Sequence, residues 1–295
     1  MTARVGILGL GRMGAPIARR LSERFATSVF DADPARLRGF EAVSPSSAGL
    51  AASVDVLVTV LPGPGEVRAA LVDDGALDAL APGSLWLDLS SNDPRVSDEL
   101  AARAAARGVE SAAAPIGGGP AEARDGRLTF FLGAPSSVEA RVRDLLAPLG
   151  VPLEPLAGRT AGAAQLAKLL ANGLWFGQAV AVTEALLLGR SRGLDPVVLR
   201  ALLAGSAGGS AFLDRHAGAL LAGDPMADFG LDRVVEELDT LERLAIEAGV
   251  AHDLLARVAA LHRDALAVYG AVDGELLGAR LLLERSGVTD LDATG

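Results

Sequence analysis

The stretch "RVGILGLGRMGAPIARRLSE", residues 4–23, decides the fold. Val5 to Leu8 is a short apolar run of strand length. Gly9, Gly11 and Gly14 follow in G-x-G-x-x-G spacing, and Ile17, Ala18 and Leu21 then recur at helical period. Each glycine has its own physical reason. The first permits a tight turn, the second lets backbone approach a pyrophosphate, and the third lets helix and strand pack closely. Leu10, Arg12 and Met13 complete a loop whose N–H groups, with the positive end of the helix, suit phosphate oxygens.

In a chain with 35 glycines such spacing needs context. A second strand, "TSVFDADP" (27–34), supplies it. It ends in Asp31, about 20 residues past the first glycine, where a carboxylate accepts from ribose hydroxyls and repels a 2′-phosphate. The next arginine is Arg36, so NAD is expected as cofactor, with NADP less favoured.

The alternation continues outward. "VDVLVTVLP" (54–62), "SLWLDLSS" (84–91), "VESAAAPI" (109–116) and "LTFFLG" (128–133) read as strands, with helices between and after them. This pattern predicts an α/β fold with a Rossmann doubly wound, mostly parallel sheet. Ligands of such sheets lie beyond the carboxyl ends of the strands. Leu61, Pro62 and Ser91 fall at such ends and are expected to face the cofactor. Gly117, Gly118 and Gly119 sit in a loop of the same edge, where bare backbone can approach a small substrate.

Composition narrows the function. The chain is 295 residues long, 50% hydrophobic and 22% charged, so it can build a sizeable core. Its net charge of −10 argues against a nucleic-acid surface. There is no cysteine, and His216, His252 and His262 lie in no metal-ligand spacing, so no metal site is expected. The most apolar long segment, 163–189, is interrupted by Gln165, Lys168, Asn172, Gln178 and Glu184. It reads as a buried helix rather than a membrane span, and a cytoplasmic protein is expected.

From about residue 162 the pattern becomes helical, with breaks near 193–196, 205–210, 223–225 and 247–250. Two domains are therefore expected: a cofactor domain over 1–160 and a second, all-α domain over 161–295. The opening helix of the second carries Gln165, Lys168 and Asn172 on one face. Lys168 is the only lysine in the chain, and every other basic side chain apart from histidine is arginine. A lysine can be tuned to give up its proton near neutral pH, whereas a guanidinium cannot. So hydrophobic a second domain also predicts a homodimer or homotetramer.

The motifs "GILGLGRMGAPIA", "FDADP", "VLP", "LDLSSNDP", "APIGGGPAEARDGRLTFFLG" and "GAAQLAKLLAN" together resemble the 3-hydroxyisobutyrate dehydrogenase, or β-hydroxyacid dehydrogenase, family. The resemblance spans nearly the whole chain. It implies an NAD(P)-dependent dehydrogenase acting on a small hydroxy acid or its semialdehyde. Lys168 would be the general acid–base and Asn172 its neighbour in the catalytic pair. Two departures stand out. Gly117 replaces the serine usual before the paired glycines. Glu236, in "FGLDRVVEEL", stands where the family has a second lysine, so Arg124 or another arginine would have to meet a substrate carboxylate. An imine reductase-like enzyme, or a reductase of a non-carboxylate carbonyl, is the alternative within redox chemistry. A non-catalytic cofactor-binding scaffold is the alternative outside it, and the retained lysine disfavours that one.

Overall fold

A computed structural model describes residues 3–154, 156–289 and 291. The chain divides into two compact units, Met1–Lys168 and Leu169–Gly295. In the first, five strands form one parallel sheet: β1 (Arg4–Leu8), β2 (Ala26–Phe30), β3 (Val56–Thr59), β4 (Leu85–Asp88) and β5 (Glu110–Ala113), in the order β2-β1-β3-β4-β5. Helices α1 (Gly14–Ser22), α2 (Ser47–Ala52), α3 (Pro64–Arg68), α4 (Ala76–Ala79) and α5 (Pro94–Ala105) fill the crossovers. Between α3 and α4 one wider helical turn, Ala69–Asp73, continues the chain.

Both faces of this sheet are covered, which explains why its strands read as continuous apolar runs. Val5, Ile7, Val56, Val58, Leu85 and Leu87 pack on one side with Ile17 and Leu21 of α1. Leu57 and Trp86 face the other way, against Leu50, Leu71, Leu77 and Leu100. The strand order changes direction about β1, and that places the topological switch point at the β1 and β3 ends.

The last three strands depart from a single sheet. After β5 come β6 (Ile116–Gly117), α6 (Pro120–Asp125), β7 (Leu128–Phe130), α7 (Glu139–Leu146) and β8 (Gly150–Pro152). These strands form a separate small sheet, antiparallel between β6 and β7 and parallel between β7 and β8. A bridge between Ala113 and Gly133 links the end of β5 to the segment that follows β7. Two-residue β6 follows β5 too closely for a right-handed crossover, so the chain turns back instead.

The second unit is helical among the described residues. Helix α8 (Ala161–Ser191) runs 31 residues across the boundary between the units. It is followed by α9 (Pro196–Ala204), α10 (Ala211–Arg215), α11 (Ala217–Leu221), α12 (Leu231–Glu247), α13 (Asp253–Tyr269) and α14 (Leu277–Arg285). Trp175 anchors the packing of this unit, edge-on to Phe176 at 5.3 Å and to Phe212 at 5.1 Å. Contrary to the expectation of a buried helix, α8 leaves Leu170, Leu174 and Leu188 exposed. No described helix is long and apolar enough to cross a membrane.

One surface pair gives a measurable pH dependence. Arg4 binds Asp55 through its guanidinium at 2.7 Å and through its backbone N–H at 2.9 Å. The side-chain bond from Arg4, then the backbone bond, holds the Asp55 carboxyl down at about 2, from an ordinary 3.8. A depressed carboxylate contributes stability above its ordinary pKa and loses it as pH falls through the folded value. Both side chains are largely exposed, so Asp55→Asn is expected to cost only about 0.2–1 kcal/mol at neutral pH. That difference should vanish as pH falls from 3.8 through about 2, read by urea unfolding of both proteins.

Candidate active site

The loop between β1 and α1 divides its three glycines by task. Gly9 has φ +99°, and a Cβ there would overlap the Val60 carbonyl oxygen. A Cβ on Gly14 would overlap the Gly9 carbonyl oxygen. Gly11 differs: nothing lies nearer its Cβ position than Arg36 Nη1 at 3.8 Å. Two glycines are thus consumed by packing, and the third opens outward over the start of α1. Within the loop Leu10 is buried, Arg12 is exposed and Met13 packs partly on the core.

Asp31 closes this loop from the end of β2. Its Oδ2 accepts from Leu10 N at 2.6 Å and its Oδ1 from Asp33 N at 2.8 Å, and the residue is buried. Each carboxylate oxygen keeps a further lone pair for a ligand hydroxyl. Arg36 reaches Asp31 at 3.6 Å and Asp33 at 3.5 Å. An open glycine at the mouth of a helix, beside a fixed carboxylate, is a donor set that fits a dinucleotide.

At the ends of β3 and β4, Leu61 N donates to Ser90 Oγ at 2.9 Å. Leu61 and Ser91 are half-buried and Pro62 is exposed. Beneath them lies a buried polar cluster that sequence reasoning did not single out. Asp88 accepts from Thr59 Oγ1 at 2.8 Å, Ser90 N at 3.0 Å and Asn92 Nδ2 at 3.3 Å. Trp86 Nε1 donates to Thr59 Oγ1 at 3.0 Å and extends the chain of bonds inward. Burial pushes the Asp88 carboxyl up, and the bonds from Ser90, Thr59 and Asn92 oppose that rise.

The glycine loop is more ordered than a bare substrate cradle. Gly117 pairs with Thr129 in the small sheet, and Thr129 Oγ1 stands 2.5 Å from where its Cβ would be. Gly118 takes φ +112° and is exposed, and Gly119 N donates to Glu122 Oε2 at 3.0 Å. Arg124 lies exposed on α6. Phe131 joins this loop to α8. Its ring edge is 3.8 Å from the Gly117 Cβ position, and Lys168 Nζ sits 5.8 Å from its centroid. Lys168 is half-buried.

Asn172 follows Lys168 by four residues and shares its face of α8. Its Nδ2 donates to Glu237 Oε2 at 2.6 Å, and Glu237 is buried. Glu236, the residue picked out from sequence, is instead half-buried and bonded to Arg233 at 2.9 Å. Val234, Leu238 and Leu241 mark the buried side of α12, and position 237 falls on that side while position 236 is turned from it.

The profile of the NAD-binding domain of 6-phosphogluconate dehydrogenase matches residues 4–158. That of the NAD-binding region of NADP-dependent 3-hydroxyisobutyrate dehydrogenase matches residues 162–280. A 3-hydroxyisobutyrate dehydrogenase from Pseudomonas aeruginosa is 34% identical over 212 residues, 70% of each chain. The chain belongs to the 3-hydroxyisobutyrate dehydrogenase family. From the same organism, an NAD-dependent L-serine dehydrogenase is 33% identical over 70% of each chain. The Mycobacterium tuberculosis 3-hydroxyisobutyrate dehydrogenase, solved with L-serine, superposes with a TM-score of 0.85. It is 26% identical, with 95% of this chain and 99% of that one covered. Family membership makes the protein a nicotinamide-dependent oxidoreductase of the hydroxyacid dehydrogenase class, acting on a hydroxyl group of a small molecule.

Proposed function

We propose that the protein interconverts a small 3-hydroxy acid and its semialdehyde, with Lys168 moving the proton. The observation that carries this is the setting of Lys168. The sole lysine of the chain lies half-buried over Phe131, whose ring edge borders the Gly117 loop. When bound, the nicotinamide supplies a hydride acceptor or donor at the substrate carbon. Lys168 takes the hydroxyl proton during oxidation and returns it to the carbonyl oxygen during reduction, a contribution of about 10²–10⁴-fold. Asn172, on the same helix face, is anchored through Nδ2 to Glu237. Residues 1–160 would then bind cofactor, with 161–295 serving substrate positioning and assembly.

Two observations favour a carboxylate substrate over an imine or a neutral carbonyl. The Thr129 hydroxyl, which donates to Gly117 O at 3.2 Å, stands where a side chain at position 117 would begin. The negative charge of Glu236 is already paired with Arg233. The test is reduction of NAD, followed at 340 nm, across 3-hydroxyisobutyrate, L-serine and 2-(hydroxymethyl)glutarate. No turnover with any hydroxy acid, together with reduction of imines by NADH, would reverse the choice.

We assign NAD rather than NADP as the working cofactor. Asp31 and Asp33 both flank Arg36, so its charge is already engaged by two carboxylates. A phosphate there would meet the fixed Asp31 carboxylate. Asp31→Ala is expected to weaken NAD and to narrow the NAD-to-NADP preference by about 10–100-fold. The ratio of kcat/KM values for the two cofactors measures it, and an unchanged ratio would remove Asp31 from cofactor choice. The exposed Leu170, Leu174 and Leu188 on α8 support a homodimer or homotetramer.

A further inference from the structure

We infer that Gln165 is a positioning residue that sets the rotation of α8, and through it the place of Lys168. The inference rests on the proposed role of Lys168. Gln165 is fully buried and lies one turn before that lysine. Its Oε1 accepts from Asn92 N at 2.9 Å, and its Nε2 donates to Ser90 O at 3.0 Å and approaches Asp88 Oδ2 at 3.5 Å. Ser90 and Asn92 belong to the loop that leaves β4 at the ligand edge of the sheet.

The amide is a directional key. Its oxygen faces a donor and its nitrogen faces acceptors, so a flip would set N–H against N–H and oxygen against oxygen. A side chain held at both ends, from opposite types of partner, fixes its helix in rotation as well as distance. By helix geometry, Lys168 lies about 60° round the axis from Gln165 and about 4.5 Å further along it. A small rotation of the helix is therefore multiplied at the end of the long lysine side chain. Displacement of a reacting group by about 1 Å can cost about 10²-fold in rate.

Gln165 is not needed to attach the helix. Gly162 N already donates to Asp98 Oδ1 at 2.8 Å, and Ala161 and Ala164 pack with Ala113 in a small apolar cluster. A methionine of similar length would fill the same space. What it would lose is the orientation given by the two hydrogen bonds.

The lone lysine makes the test direct. Incorporating [ε-13C]lysine gives one side-chain Cε resonance, that of Lys168. In the wild-type protein, saturating NADH is expected to move that resonance. In Gln165→Met, NADH affinity by fluorescence should stay near wild type while the NADH-induced shift shrinks. With whichever hydroxy acid the panel identifies, kcat should fall about 10–100-fold with little change in KM. Gln165→Glu keeps the acceptor for Asn92 N, and its protonated form can again donate to Ser90 O. Asp88 from β4 faces this position at 3.5 Å, Asp98 from α5 bonds the same first turn of α8 at Gly162 N, and Lys168 lies one turn on. Relative to wild type, Gln165→Glu is therefore expected to regain rate and shift as pH falls.

Wild-type kcat and a wild-type shift in Gln165→Met would overturn the inference. If that variant does not fold, a pH-independent, wild-type-like Gln165→Glu overturns it instead. A wild-type resonance indifferent to NADH would refute the role of Lys168 itself, a different failure from either of these.

Discussion

Arginine in place of Lys168 is expected to lower turnover by about 10²–10⁴-fold and to leave cofactor affinity essentially unchanged. The substitution separates charge from proton transfer. Arginine keeps the positive charge and can keep the contact with the Phe131 ring, which Lys168 Nζ approaches at 5.8 Å. It cannot release a proton near neutral pH. If Lys168 acted only by attracting a carboxylate, arginine would serve nearly as well and mainly KM would move. If it shuttles the proton, kcat falls and the substrate still binds. Steady-state rates at saturating hydroxy acid, with an NADH fluorescence titration alongside, distinguish these outcomes. Near-normal kcat in the arginine variant would end the acid–base assignment.

The second large effect concerns the glycine loop and is best read as a contrast between two alanine variants. Gly9→Ala is expected to destabilise the first unit by about 2–4 kcal/mol, because it forces a side chain into a left-handed backbone and into the Val60 carbonyl. Gly11→Ala should leave apo stability within about 0.5 kcal/mol, since its Cβ would enter open space. Its cost appears only with ligand. A methyl at the one outward-facing glycine holds a pyrophosphate away from the backbone, and affinity for NADH should fall tenfold or more, about 1.4 kcal/mol. Urea unfolding and NADH titration of both variants check the pair. A Gly11→Ala protein that binds NADH like wild type would show that the dinucleotide does not lie over this loop.

Much of this arrangement was legible in the sequence because it is local. The glycine spacing, the apolar run before it and Asp31 after it all lie within one strand–helix–strand unit, and short-range rules read such units well. That Lys168 and Asn172 share a face of one helix was legible for the same reason, since helical spacing puts them there. Asp88 was not. It stands in the buried run "LWLDL", but Thr59 and Gln165, which satisfy it, are 29 and 77 residues away. Only the folded chain brings them together. A signal was present nonetheless, because a carboxylate inside a doubly covered strand demands partners.

Glu236 and Glu237 teach a different lesson. Val234, Leu238 and Leu241 mark the buried side of α12. Position 237 is three residues after the first of these and four before the last, so helical period assigns it to that side. The exposure of the leucines on α8 had no such cue. A helix apolar all round does not say which of its sides its own chain will cover.

Each unit also carries one indole. Trp86 is buried in the parallel sheet of the first, and Trp175 sits among aromatic rings in the second. A Trp→Phe change at either position leaves a single emitter, so intrinsic emission can follow the melting of one half of the molecule while the other stays silent. Whether the two halves come apart together or in sequence is thus an optical question that the protein can answer with no added dye.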